Sequence, residues 1–416
     1  MHVVIFEASR WHTFAPLSLG RPLFTLATGM STILQKQLRH LHPRRLTLWV
    51  RPELEDFCRR RVAPKTGVPT EINTSLDDEP ALLVNGRTVH FGKFEYPPHD
   101  AVMADGGDVV RAAMTTDPGL SPRDAWDRTE RWLRLLNLPE MPVQGRCVES
   151  LVDLIHWNDE SLVEDFAHLE TPSAPKTAGP YHLVEEQDVW LGADVKLEPG
   201  CVLDASKGPV VIGEGASIGA NAVLQGPCYI GAHATISPLG QIRPGTSIGP
   251  MCKVGGEVST SIILGYSNKP HEGFLGHSYV GKWCNLGSGT TTSNLKNTYG
   301  EISLKIGDQD VPTGRRFLGA LIGDHSKTGI LTRLSSGTYI GFSSMLAGSG
   351  IAPRFIPSYT FWTDRGAEPY RLEKAMEVAR RVFDRRDRGW SAADDAVMRY
   401  VADAALEVEA KKGDKF

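Results

Sequence analysis

Residues able to do chemistry gather in two stretches of this 416-residue chain. The first, roughly 256–279, contains Asn268-Lys269-Pro270-His271. The second, roughly 294–317, contains Asn294-Leu295-Lys296 and Arg315-Arg316. An imidazole exchanges protons near neutrality, and guanidinium and ammonium groups hold phosphates and carboxylates. Both stretches interrupt a strong repeat, and insertions in a solenoid map to loops on one face, often the binding face.

The repeat itself runs from Val211 to Val254. Every sixth residue is apolar: Ile212, Ile218, Leu224, Ile230, Ile236, Ile242, Ile248 and Val254. Neither an α-helix nor an alternating strand has that period. A parallel β-helix with three flat sides per coil does, with the aliphatic residue pointing into the prism and a small residue easing the corner. The period returns at Val280, Leu286 and Thr292, and again at Ile322, Thr328, Leu334, Ile340 and Leu346.

The elements before the repeat are of another kind. Residues 3–6, 45–50 and 80–84 are strand-like. Leu26, Met30, Ile33, Leu34, Leu38 and Leu41 fall at helical spacing, and 52–63 and 122–137 are further predicted helices. This alternation predicts βαβ units and a parallel sheet. Trp157, Leu162 and Phe166 predict a last helix before a Pro-containing linker at 170–179. The expected domains are 1–175 (α/β), 180–350 (β-helix) and 351–416, where two amphipathic stripes predict helices covering the open coil end.

Composition narrows the function. A net charge of −4 disfavours a nucleic-acid binder. No apolar run is long enough for a membrane span, and the N-terminus lacks the pattern of a secretory signal. A cytoplasmic location is expected. The six cysteines, Cys58, Cys147, Cys201, Cys228, Cys252 and Cys284, include no C-x-x-C pair. Reduced thiols are predicted, not a disulfide or zinc framework.

Four quoted stretches carry a family likeness: Glu257-Val-Ser-Thr-Ser-Ile-Ile, Ser267-Asn-Lys-Pro-His271, Asn285-Leu-Gly-Ser-Gly-Thr290 through Asn294, and Gly323-Asp-His-Ser-Lys-Thr-Gly-Ile330. Together they resemble the acetyltransferase domain of the bifunctional glucosamine-1-phosphate N-acetyltransferase/UDP-N-acetylglucosamine pyrophosphorylase (GlmU-like) family. The branch with a divergent nucleotidyltransferase domain is the most similar. The resemblance implies a Rossmann-like α/β nucleotidyltransferase domain followed by a left-handed β-helix with terminal helices, assembled as a homotrimer.

It also implies roles. His271 is the expected general base, freeing an amino-sugar amine to attack the acetyl-CoA thioester. Arg243 matches a phosphate-binding arginine, and Asn285 and Asn294 match substrate-contacting asparagines. Ser288 lies where a backbone N–H would stabilise the oxyanion on the acetyl-CoA side. A second phosphate-binding lysine is expected in the Glu257-Val-Ser run, where this chain has Ser259. Lys269 or Lys296 are the candidate substitutes, Lys296 being placed near acetyl-CoA. Phe274 stands where an aromatic hydroxyl is usual.

The first half departs further. The Gly-rich phosphate loop is replaced by Phe6-Glu-Ala-Ser-Arg10, the lysine of the following segment is Leu23, and Asn85-Gly86-Arg87 stands where an aspartate for Mg²⁺ is expected. Arg10 and Arg21 are the candidate phosphate ligands, and Asp105 or Asp108 the candidate metal ligands. Three functions stay open. One is an enzyme of nucleotide-sugar synthesis using a nucleoside triphosphate, a sugar phosphate and acetyl-CoA. Another is a non-catalytic sensing or assembly protein. The third is a metal hydratase like the γ-type carbonic anhydrases, with His271, His277 and His325 as ligands.

Overall fold

The computed structural model describes residues 1–76, 80–89, 99–105, 108–115, 119, 121–142, 145–169 and 179–410. All but the last residue of the expected linker lies outside them. Contacts divide the chain into two compact units. One comprises Met1–Leu26, Ser31–Ser150 and Trp390–Val401; the other comprises Ala27–Met30, Leu151–Gly389 and the chain from Ala402 onward.

The first unit is built on a sheet whose core strand, His2–Phe6, is buried throughout. Arg45–Trp49 and Ala81–Asn85 flank it in parallel, and Thr70–Ile72 extends that side in parallel. These are the expected βαβ strands. The all-parallel expectation stops there, because Asp108–Met114 pairs antiparallel with both Ala81–Asn85 and Ala101–Asp105. A hairpin needs no crossover helix, so the helical spacing of the sequence carried no sign of it. The helix predicted from Leu26 begins only at Ile33. Thr32 caps it in a reciprocal capping box with Gln35.

The second unit is a parallel β-helix. Its strands stack into three walls. The first wall runs from His182–Val184 to Leu275–Gly276, with Thr291–Thr292 and Arg333–Leu334 beyond it. The second runs from Val189–Leu191 to Phe355–Ile356, and the third from Lys196–Leu197 to Thr360–Thr363. The apolar column of the sequence fills the interior: Ile212, Ile218, Leu224, Ile230, Ile236, Ile242, Ile248 and Val254 are all 0% exposed. Each contributes about 1.5–3 kcal/mol by its burial. The six cysteines are free and buried; Cys201, Cys228, Cys252 and Cys284 belong to the coil core.

The two sequence breaks have different origins. At 256–279 the coil does not stop. Ile236 and Val254 are register partners 18 residues apart, whereas Val254 and Lys269 are partners 15 apart. Shorter corners let the walls continue while the six-residue beat is lost. The second break is a true excursion, in which Ile302–Ile306 pairs antiparallel with Gln309–Arg315 as a hairpin.

The coil also outlasts the boundary expected at 350. Phe355–Ile356 and Thr360–Thr363 continue the second and third walls, with Ile356 and Trp362 in the core. Gly366–Pro369 pairs antiparallel with Thr360–Thr363 at the end of the third wall, and Glu409 near the end of the tail helix Ala392–Ala410 accepts from Ser358 N (2.7 Å) in the last coil. Helix Leu372–Asp384 instead lies along a coil corner, with Phe383 stacked on Trp283 (centroids 4.2 Å apart) and Arg386 donating to Asn268 Oδ1 (2.9 Å). Residues 151–169, expected in the first domain, cluster with the coil. Asn158 Nδ2 donates to the Gly245 carbonyl (2.8 Å) and to Ser247 Oγ (2.9 Å).

Candidate active site on the first wall of the coil

In a β-strand alternate residues face outward, so the parallel register stacks outward side chains into columns. Val258 pairs with both Ile242 and Leu275, and Ser259 pairs with Gly276. Continued by a residue at the strand ends, this register places Gln225, Arg243, Ser259 and Gly276 in one outward column. Gln241, Glu257 and Phe274 form the next. Ser259 is small, and the space over Gly276 is taken by the Phe274 ring and the Asn294 amide. Gly276 is required there: a Cβ would lie 2.4 Å from the Phe274 ring and 2.7 Å from Asn294 Nδ2.

Arg243 is pre-set on this face. Its Nε donates to Glu257 Oε1 (3.1 Å), and its terminal nitrogens donate to Gln225 Oε1 (3.0 Å) and Gln241 Oε1 (3.1 Å). Glu257, Gln225 and Gln241 carried no individual role in the sequence reading; they emerge only from the register. The side chain is about two-fifths exposed, so the guanidinium is held in orientation on a solvent-facing side chain.

His271 stands at the corner between the third and first walls, between Asn268–Lys269 and Leu275–Gly276, with its side chain exposed. Ser288 occupies the same corner one coil on. Its Oγ donates to Glu272 Oε1 (2.8 Å), which holds the Glu272 carboxyl below the usual carboxylate range. The Gly289 N–H donates to the Glu272 carbonyl (3.3 Å), whereas the Ser288 N–H makes no backbone hydrogen bond among the described residues. A free main-chain donor one strand spacing, about 4.8 Å, from the His271 corner is the arrangement an oxyanion needs.

Asn294 closes the other edge of the wall. Its Nδ2 donates to His277 Nδ1 (2.9 Å), and His277 stacks on Phe317 at 5.2 Å. Burial, with a smaller contribution from His156, lowers the His277 pKa to about 4. The ring is neutral at pH 7, which suits a ring nitrogen that accepts. Neither His277 nor Phe317 was singled out for this contact.

Other expected ligands are elsewhere. Lys269, expected as a substrate cation, points into the coil and is 2% exposed. Its ammonium donates to the carbonyls of Gly255 (2.9 Å) and His271 (3.0 Å). Lys296 turns back onto the Glu301 carbonyl. Asn285 is on the outer face of the third wall, where it accepts from Asn268 Nδ2 (3.5 Å), and is not brought beside Arg243. His271, His277 and His325 occupy three different corners, so they do not converge within the chain. His325 is packed among Trp283, Phe342 and Phe383.

In the first unit, chain order reverses across the sheet between His2–Phe6 and Ala81–Asn85. That is the switch point where open α/β sheets take ligands. Here the protein's own groups fill it. Glu7, fully buried, accepts from Leu23 N (3.0 Å), Arg51 Nε (3.1 Å) and Arg51 Nη2 (3.0 Å). The Arg51 guanidinium lies 3.7 Å over the Trp11 ring and donates to the carbonyls of Ser18 (2.7 Å) and Arg21 (2.9 Å). Gly86 N–H donates to the Phe6 carbonyl (2.8 Å). Arg21 is buried, and Arg10 lies 4.0 Å from Glu149. Backbone pairing sets Asp105 opposite Asp108; their side chains lie outside the described residues.

Among the described residues no helix is long and apolar enough to cross a membrane. A family model described as sugar nucleotidyl transferase matches residues 3–173, and one described as bacterial transferase hexapeptide (six repeats) matches residues 209–239. The chain is 36% identical over 156 residues to "Bifunctional protein GlmU" of Methanococcus vannielii, covering 37% of each chain. It is 36% identical over 168 residues to the protein of that name from Methanocaldococcus jannaschii, covering 40% of each. To "Bifunctional sugar-1-phosphate nucleotidylyltransferase/acetyltransferase" of Sulfurisphaera tokodaii it is 36% identical over 137 residues, covering 32% of this chain and 34% of the relative. The matched stretch thus spans about a third to two-fifths of these relatives.

Proposed function

We propose that the protein is a transferase of nucleotide-sugar biosynthesis whose coil transfers an acetyl group from acetyl-CoA to the amine of an amino-sugar phosphate. The observation that carries this is the first-wall arrangement. An oriented guanidinium, the small Ser259 and Asn294 share one face, with His271 and the free Ser288 N–H at its corner. Arg243 holds the phosphate bidentately. His271 takes the proton from the attacking amine, and the Ser288 N–H meets the negative charge that develops on the thioester oxygen. Acetyl-CoA supplies the activated acetyl group. The printed name of the Sulfurisphaera tokodaii relative, which joins sugar-1-phosphate nucleotidylyl and acetyl transfer, supports the same pathway.

A homotrimer in the cytoplasm belongs to this proposal. Asn285, on a different wall from Arg243 in one chain, would join the site from a neighbouring copy. Arg10, Arg21, Asp105 and Asp108 remain the proposed nucleotide and Mg²⁺ ligands of the first unit, with Mg²⁺ neutralising triphosphate charge when bound. The buried Glu7–Arg51 pair favours a second reading for that unit, ligand sensing without transfer. The test is thiol release from acetyl-CoA with glucosamine 1-phosphate, beside pyrophosphate release from UTP and the sugar 1-phosphate. Acetylation lost in His271→Ala supports the coil assignment, and equal thiol release with and without the amino sugar overturns it.

A further inference from the structure

Between the aliphatic Val254 and Leu286 of its interior row, the coil holds the ammonium of Lys269. In the third wall Lys269 pairs with Val254, and its neighbour Asn268 pairs with Asn285, which sets Lys269 beside Leu286. Val254 and Leu286 are aliphatic and 0% and 2% exposed. A methionine would fill the same volume without the cost of desolvating a charge. What the ammonium does there is visible in its two partners, the carbonyls of Gly255 and His271. They belong to the corners of successive coils.

We propose that Lys269 is a positioning residue, whose buried ammonium clamps the main chain of the corner that presents His271. The inference rests on the reading of His271 as the base in acetyl transfer. The corner beneath that of His271 is two residues short, Val254 to Val258 spanning four residues where Lys269 to Leu275 spans six, so the coil below does not by itself supply a donor for every carbonyl of the His271 corner. Instead four successive carbonyls are each held by a separate donor. The Lys269 carbonyl accepts from Gly255 N (2.7 Å), that of Pro270 from Ser237 Oγ (2.8 Å), that of His271 from Lys269 Nζ, and that of Glu272 from Gly289 N (3.3 Å). Gly273, at φ 115°, completes the turn where a Cβ would lie 2.2 Å from the Thr290 carbonyl. With the main chain pinned on both sides, the imidazole is the part of His271 left to move. Preorganisation of this kind raises turnover more than binding.

The charged groups facing Lys269 are few. Glu272, exposed on the same corner, favours the ammonium, and His271 adjoins it. Burial outweighs Glu272 and lowers the Lys269 pKa to about 8. Above that pH the clamp keeps N–H donors and loses its charge assistance.

The test uses the full-length protein with Lys269→Met and Lys269→Gln. Each variant is assayed for acetyl transfer and examined by NMR of the His271 ring and of selectively labelled His271 and Gly255 carbonyls. Lys269→Met is expected to lower kcat at least about tenfold, the size of a lost charge-assisted hydrogen bond, with KM for acetyl-CoA within about twofold. Lys269→Gln, which keeps one donor, is expected to recover part of kcat. In the wild-type protein the two carbonyl signals should shift together as pH rises through about 8. Unchanged kcat and His271 signals in a folded Lys269→Met protein overturn the proposal, as do wild-type carbonyl signals that do not move near pH 8. Should the wild-type protein transfer no acetyl group, the base reading falls, and the NMR signals alone decide the positioning role.

Discussion

The side-chain amide of Asn294 places Nδ2 2.9 Å from His277 Nδ1, with the ring in the tautomer that leaves Nδ1 unprotonated to accept. With Nδ2 committed to the imidazole, Oδ1 is the end left to accept from a substrate N–H. A neutral His277 is required, because a protonated ring has only donors. His277→Phe keeps the stack on Phe317 and removes the acceptor. Its expected effect is about a tenfold loss in kcat/KM for the amino-sugar acceptor, read in the acetyl-transfer assay, with KM for acetyl-CoA unchanged.

The same histidine gives a pH dependence of stability. Its folded pKa, about 4, lies below the ordinary value of 6.5. Between those values the unfolded chain binds the proton and the folded chain does not. The stabilisation is therefore present above pH 6.5 and is lost as pH falls toward 4. Thermal melts of the wild-type protein should fall across that window, and the fall should be shallower in His277→Phe.

Glu409 gives the opposite slope. It is buried and accepts from Tyr339 Oη (3.0 Å), Ser358 N (2.7 Å) and Ser358 Oγ (2.6 Å), and burial raises its pKa to about 7. The folded state holds a proton that the unfolded state releases above about 4.3. Stability should decline as pH rises from there through 7. Glu409→Gln should flatten that decline in melting temperature.

Arg243→Ala should raise KM for a phosphorylated acceptor by about ten- to a hundredfold, since a charge-assisted contact contributes about 1.5–3 kcal/mol. An acceptor without its phosphate should show little difference between wild type and variant. Equal loss for both acceptors would place Arg243 outside the phosphate contact.

In the first unit, Arg51→Met strands the buried Glu7 carboxylate. A loss of about 3–5 kcal/mol is expected in denaturant melts of that unit. The double change Glu7→Gln with Arg51→Met should recover part of it, because the uncompensated charge is then gone.

The sequence by itself determined the coil. An apolar side chain every sixth residue can be buried only by a three-sided prism, and each residue of that column from Ile212 to Val254 lies inside it. The parallel strands at 2–6, 45–49 and 81–85 were legible for a similar reason, since β-rich segments alternate with helical spacing. The site was only half legible. Arg243, His271, Ser288 and Asn294 stand out by motif, but their partners Gln225, Glu257 and His277 are distant in sequence and become neighbours through the register of stacked coils. Lys269 shows the limit most plainly. A lysine beside a histidine in a broken repeat has the look of a surface cation. Only the tertiary structure, by shortening one coil while keeping its walls in register, turned that side chain inward against two carbonyls.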